Sequence, residues 1–380
     1  MHESCSISRK QDSGFVCIKG LTSGKGSNMT KAAGRKLRCG VIGLGMGRGH
    51  VQGYQSHPAC EVVAVADTDE GRLAQARTEF KVPQTYTDAQ DMLKHAELDV
   101  VSVATPNKFH APLTIAALKA GCHVLCEKPM AMTLPEALAM QRTAVACRKK
   151  LAINFSYRFS AMSFALKQQV DAGLIGKIYF GRTVWHRRRG MPGFGGWFGN
   201  KELAGGGPLI DLGVHRIDLA LWLMGHPRPV SVSGSTYNVI AARKAREEKK
   251  HYSVEDLAAG IVKFDNGATL LVEASWALNN NENEHMITSL FGDKGGLVQK
   301  NRNGTYEFTA EIYTEEGGNL YTKVLDQAVT QPPSPYHDFI DSILQNRQPL
   351  AKAEDGIRVQ MILDGLYRSA AEGREIRFDK

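Results

Sequence analysis

The chain predicts an α/β protein in two parts: a Rossmann-like, doubly wound parallel sheet, then an α+β half with a largely antiparallel, open-faced sheet. Three observations carry this. From residue 37 to about 155, continuously apolar strand-like runs alternate with helical stretches, the pattern of parallel strands covered on both faces. After residue 160 strand-like segments and hairpin turns dominate. With 380 residues, the chain exceeds one typical core and fits two.

Taken in order, strands are expected at 37–42, 62–66, 100–104, 123–126 and 151–155, and helices at 70–80, 111–120 and 134–147. The first strand opens into Gly43-Leu44-Gly45-Met46-Gly47-Arg48-Gly49, the third ends at Thr105-Pro106-Asn107 and the fourth at Glu127-Lys128-Pro129. If the chain contains a cis peptide, Lys128-Pro129 is the candidate. A helix, a strand near 177–186 and a loop of Gly, Arg and aromatic residues at 187–207 lead to a helix that carries Asp211 and His215 and ends near Gly225. Residues 261–264, the Asp265-Asn266-Gly267 turn and residues 269–276 read as a hairpin, and a second turn falls at 292–296. The charge run 243–250 reads as a surface loop, and helices near 336–346 and 356–372 close the chain.

The net charge of +8 is concentrated at the start: residues 1–38 hold eight Lys/Arg against Glu3 and Asp12, leaving about +2 for the rest. Residues 1–36 therefore read as a disordered basic leader rather than a nucleic-acid-binding surface, and Met29 makes an upstream extension from a misassigned start conceivable. The leader lacks the apolar core of a secretory signal, and no run of about 18 apolar residues occurs. A cytoplasmic protein with no membrane and no nucleic-acid partner is expected. Seven cysteines without a Cys-x-x-Cys pair indicate reduced thiols and no metal site.

A glycine-rich turn between strand and helix brings side-chain-free backbone and helix N–H groups to a pyrophosphate. Arg48 stands where a third glycine is expected unless the turn is one residue shorter. Asp67, at the end of the second strand, is placed to accept from ribose hydroxyls and to repel a 2′-phosphate, which favours NAD over NADP. Its alternative role is a helix cap before Thr68-Asp69-Glu70. Candidate coenzyme contacts are Gly43, Gly45, Met46, Asp67, Thr105, Asn107, His110, Glu127 and Lys128. Residues 37–155 then form a dinucleotide-binding domain and 156–380 a substrate-binding and oligomerisation domain.

Asp211 and His215 stand four apart, which puts both on one helix face. Oxidising a secondary alcohol needs a base within reach of the hydroxyl. His215 is expected to titrate near neutrality without tuning. Lys128, at a strand's carboxyl end, supplies a fixed positive charge beside a developing alkoxide. Together the turn, the lysine and the Asp/His pair indicate hydride transfer. The loop through Arg187, Arg188, Arg189, Trp197 and Phe198 mixes cations with aromatic faces, as sugar sites do. Its arginines are either solvated surface or readers of a substrate carboxylate or phosphate.

On Val41-Ile42-Gly43-Leu44-Gly45, Ala66-Asp67, Thr105-Pro106-Asn107, Glu127-Lys128-Pro129, Asp211-x-x-x-His215 and the last helix, the sequence resembles the Gfo/Idh/MocA oxidoreductases, the family of glucose–fructose oxidoreductase and inositol dehydrogenase. The resemblance implies an NAD(P)-dependent dehydrogenase acting on a sugar, inositol or derivative. It further implies that Lys128 touches the substrate hydroxyl and nicotinamide ribose, that His215 is the acid/base, that Asp211 binds a substrate hydroxyl, and that Arg158 matches a substrate-site arginine. Arg158, His186, Arg188, Trp197 and Asp211 are the candidate substrate contacts. Alternatives are a glycosidase or lyase that oxidises the sugar transiently on NAD, and a non-enzymatic dinucleotide-binding regulator. A homodimer or homotetramer is expected.

Overall fold

The computed structural model describes residues 35–328 and 330–378. The expected leader, up to residue 34, lies outside the described residues.

The first sheet has six parallel strands: β1 (Leu37–Ile42), β2 (Cys60–Ala66), β3 (Gln84–Tyr86), β4 (Val100–Val103), β5 (His123–Cys126) and β6 (Leu151–Ile153). They are ordered β3-β2-β1-β4-β5-β6. Helices α1 (Gly47–Gln55), α2 (Glu70–Thr78), α3 (Ala89–His95), α4 (His110–Lys119) and α5 (Leu134–Ala146) connect them. The order reverses between β1 and β4, so the connections leave in opposite directions and open a crevice at the strands' carboxyl ends. The apolar runs became strands because both faces are covered: Val41, Val101, Val103 and Val124 are fully buried. Helix starts follow the side-chain chemistry. Asp69 accepts from Arg72 N, and Thr133 with Glu136 forms a capping box. The half-buried β3, with only three residues, carries no apolar run and was not foreseen.

The second part runs α6 (Ala161–Asp171), β7 (Ile178–Arg187), α7 (Lys201–Ala204), α8 (Val214–Leu223), β8 (Pro229–Tyr237), α9 (Ile240–Glu247), β9 (Leu257–Phe264), β10 (Thr269–Ser275), β11 (Glu284–Gly292), β12 (Gly295–Asn301), β13 (Phe308–Glu316), β14 (Asn319–Leu325), α10 (Pro335–Leu344), α11 (Ala353–Glu372) and β15 (Ile376–Arg377). Its nine strands are ordered β14-β13-β12-β11-β7-β10-β9-β8-β15, antiparallel except for β7 beside β10. The Asp265-Asn266-Gly267 turn does join β9 to β10. On β10, Leu270, Val272 and Ala274 are buried and alternate with half-buried residues, the period of two that one covered face imposes. Ile217 of α8 and Leu363 and Leu366 of α11 share that core.

One expectation is corrected here. Most of the charge run 243–250 is helical, as part of α9: the Asp256 carboxylate accepts from Val239, Ile240 and Ala241 N–H at 2.6–3.0 Å, and Ala241 and Ala245 turn inward. The chain's end returns to the first sheet, where Phe339 and Ile340 join the core of Val41, Val51 and Tyr54. Among the described residues the five cysteines are free, and no helix is long and apolar enough to cross a membrane.

Candidate active site

The glycine turn sits at the mouth of the crevice. Gly43 has φ +86°, and a Cβ there would lie 2.6 Å from Ala104 O, so only glycine fits. The turn is one residue shorter than the usual spacing. Gly47, not residue 48, opens α1 so close to β1 that a Cβ would come within 2.8 Å of Val41 Cγ1. Space beyond Gly45 is open, and Met46 is 72% exposed. Asp67 closes the turn. Its Oδ2 accepts from Leu44 N at 2.6 Å and lies 3.5 Å from Arg72 Nη1, while Oδ1 accepts from Asp69 N at 2.9 Å. The cap of α2 is Asp69, which leaves Asp67 at the strand end. Thr105 Oγ1 is buried without a partner among the described residues. A left-handed turn, open space, a strand-end carboxylate and an orphan hydroxyl fit a dinucleotide.

Two expected coenzyme contacts are otherwise engaged. His110 is buried, and its ring nitrogens face Pro129 O at 2.7 Å and Thr105 O at 2.9 Å, so it braces the two strand-end turns from behind. Burial, outweighing those carbonyls, lowers its pKa. Asn107 donates from Nδ2 to Ala204 O at 2.7 Å, tying the strand-end turn to α7.

Glu127 and Lys128 face different ways. Glu127 is buried. Its Oε1 meets His50 Nε2 at 2.8 Å and Asn154 Nδ2 at 2.6 Å, and Oε2 accepts from Lys128 N at 3.2 Å. Burial alone would raise the Glu127 carboxyl, but hydrogen bonds and charge from His50, with Asn154 and Lys128, carry it down to about 2. His50 Nδ1 in turn meets Ser102 Oγ at 2.8 Å. The sequence reading missed His50, one turn into the helix that the glycines open. The Lys128-Pro129 bond is cis. Lys128 Nζ reaches across to the second part of the chain, donating to Asp211 Oδ1 at 2.9 Å and Asp211 O at 3.2 Å. The two side chains keep 19% and 17% of their surface exposed, so the pair is anchored yet open to a ligand.

The segment Leu209–Gly213 is a π-helical turn, not the start of a regular helix, so Asp211 and His215 are not simply one α-turn apart. Buried Glu255, also unforeseen, accepts from Gly207 and Leu209 N–H at 2.8 and 3.2 Å and holds that turn's start. Trp276 Nε1 donates to Asp211 Oδ2 at 3.1 Å, so both carboxylate oxygens have partners. The His215 ring packs on Tyr157 and Trp185, with centroids 5.0 and 5.7 Å away, and its buried Nδ1 has no partner among the described residues. Burial first, then the charges of Lys128, Arg216 and Arg187, hold its pKa well below the ordinary 6.5. The expectation of titration near neutrality is corrected: a desolvated ring among three cations resists protonation.

The substrate contacts expected on the second part divide. Arg158 is fully buried beneath the site, its guanidinium on Asp218 and Asp355, and touches no cleft. His186 lies on the wrong face of β7. Thr183 and Trp185 face α8, whereas His186 points the other way, 3.3 Å from Glu273. Of the adjacent arginines 187–189, the one near His215 is Arg187, on the Trp185 side and bonded to Glu284 at 2.9 Å, while Arg188 is exposed. Strand parity carried this signal. Trp197 stacks on Phe198 at 3.8 Å, which meets Trp276 edge-on at 6.5 Å, one ring removed from Asp211.

A dinucleotide crevice facing a lysine, a carboxylate and an imidazole defines a nicotinamide-dependent oxidoreductase. The chain belongs to the Gfo/Idh/MocA family: residues 37–155 match its NAD-binding Rossmann fold and 167–378 its C-terminal alpha/beta domain. It is 37% identical over 352 residues to D-glucoside 3-dehydrogenase of Escherichia coli K12, covering 90% of this chain and 97% of that one. Among solved structures, levoglucosan dehydrogenase in complex with NADH is similar with a TM-score of 0.78 at 25% identity, over 91% of this chain and all of that one. Aldose-aldose oxidoreductase from Caulobacter crescentus is similar with a TM-score of 0.75 at 25% identity, over 90% and 100%.

Proposed function

We propose that this oxidoreductase moves a hydride between NAD and a secondary ring hydroxyl of a sugar or sugar derivative, with His215 as acid/base and Lys128 as the fixed cation. The observation that carries this reading is the 2.9 Å pair of Lys128 and Asp211, which joins the coenzyme strand ends to the turn leading into His215. Nicotinamide, when bound, supplies the hydride acceptor. His215, neutral in this environment, takes the hydroxyl proton. Lys128 donates to the oxygen as it becomes an alkoxide, and Asp211 accepts from a neighbouring hydroxyl, which fixes the ring. The names of the similar proteins, a glucoside and a levoglucosan dehydrogenase, support a sugar substrate.

Asp67 supports NAD over NADP, because a 2′-phosphate would meet its carboxylate. The free thiols suit a cytoplasmic enzyme. Half-buried Ile261, Leu271 and Ile287 on the sheet face away from α8 support association with a second copy as a dimer or tetramer. The test is an NAD-reduction screen over glucosides, aldoses, inositols and sugar acids. Substrate-dependent, net NADH formation is expected. Release of an aglycone without NADH would replace this reading with transient oxidation, and saturation with NADP tighter than with NAD would overturn the Asp67 assignment.

A further inference from the structure

Directly after His215 stands a cation that the reaction above does not use. Arg216 is fully buried, and among the described residues no carboxylate pairs with it. Aromatic faces hold it instead: its guanidinium carbon lies 4.5 Å from the Tyr157 centroid, 5.1 Å from Phe308 and 5.5 Å from Trp185. Its polar contacts are long, Nη1 to Gln299 Oε1 at 3.4 Å and Nη2 to Met286 Sδ at 4.0 Å, with the neutral Tyr157 hydroxyl as a further polar neighbour, and among the described residues its buried Nε has no partner. An unpaired buried charge is costly, and an apolar side chain of the same length would fill the space without that cost. A group kept under those terms points to a use for its charge.

Its surroundings say which use. Tyr157 and Trp185 pack on the His215 ring as well, so cation and imidazole lie against the same two aromatic side chains. Among the described residues, the charged and titratable groups around that imidazole are Lys128, Arg216, Arg187 and Tyr157, with Asp211, Glu284 and Tyr306 as their partners. Lys128 is paired with Asp211, and Arg187 with Glu284, which also accepts from Trp185 Nε1 and Tyr306. Burial pushes the Tyr157 hydroxyl up to about 12, so it stays neutral. Of the three cations near His215, Arg216 alone has no carboxylate among the described residues to cancel its field.

We propose that Arg216 is a positioning residue for the acid/base step: its uncompensated charge, held behind the shared Tyr157 and Trp185 rings, keeps His215 unprotonated and fixes its place. This rests on the reading of His215 as the base. An imidazole kept neutral this way can accept a substrate proton in mildly acidic as well as neutral solution, and the imidazolium it forms is pressed to release that proton again.

The test uses Arg216→Met and Arg216→Lys in the full-length enzyme with NAD. Three quantities are read: the acid limb of kcat/KM for alcohol oxidation, the NMR titration of the His215 ring (assigned by its loss in His215→Ala), and the melting temperature. In Arg216→Met the limb and the ring titration should both rise by roughly one pH unit, the size of effect a nearby like charge produces, while the melting temperature holds or increases. Arg216→Lys, which keeps the charge, should leave both near the parent values. A ring titration that stays in place in a folded Met variant overturns the proposal, as does a Lys variant that shifts as far as the Met variant. If the ring titration moves but the limb does not, the coupling is real but His215 is not the base, and the proposal falls with that reading. Should the Met variant not fold, Arg216→Gln, which retains a partner for Gln299, gives the same comparison.

Discussion

The two sides of α8 treat a buried arginine in opposite ways. On the rear side, Arg158 donates from Nε and Nη2 to Asp218 at 3.0 and 2.5 Å, and from Nη1 to Asp355 and Leu350 O at 2.8 Å each. Every guanidinium nitrogen has an acceptor, and the cation serves as a lock between the turn after β6, α8 and α11. On the front side, among the described residues, Arg216 has aromatic faces and no carboxylate, and the neighbouring His215 has an orphan nitrogen. A buried cation that finds its acids holds structure together, while one left without them projects its field onto the nearest titratable group.

The largest effect should come from the front. His215→Ala is expected to lower kcat by roughly 10²–10⁴-fold with NAD affinity and melting temperature unchanged. Because the His215 pKa is lowered, and only the neutral ring accepts a proton, the acid limb of oxidation should lie below pH 6.5 and disappear in this variant. A limb at or above neutrality would mean that the field described here does not reach the ring.

The rear should show the converse. Arg158→Met strands the buried Asp218, leaves Asp355 only His226 and Arg358, and is expected to cost about 3–5 kcal/mol of stability, read by denaturant unfolding, with kcat per folded molecule near the parent value. Loss of turnover at unchanged stability would erase the distinction between the two arginines. Asp67 stands between these extremes, its covered carboxylate held by two backbone donors beside the open space beyond Gly45. Asp67→Ser should weaken NAD binding by roughly 10- to 100-fold, the range of one hydrogen bond to a charged group, and narrow the gap to NADP in direct titrations. The smallest effect is expected from removing residues 1–28, an expectation that rests on their composition; loss of activity would count against it.

The sequence by itself determined five of the first sheet's six strands, all but the short β3. Strands covered on both faces must be continuously apolar, and the glycines, Asp67 and Lys128 follow at strand ends where local spacing has meaning. It also marked Asp211 and His215, though not the π-turn between them. What only the tertiary structure decided depends on residues remote in the chain or on a single step of register. Arg158 matched a substrate arginine in sequence, yet partners 60 and 197 residues away took its charge. His186 and Trp185 are neighbours on β7, and the pleat sends them to opposite faces, so the aromatic wall at His215 could not be read from composition. The low pKa of His215 is likewise no property of a histidine four residues after an aspartate. It is set by desolvation and by Lys128, Arg216 and Arg187 converging from three different elements, and such a field exists only when the chain is folded.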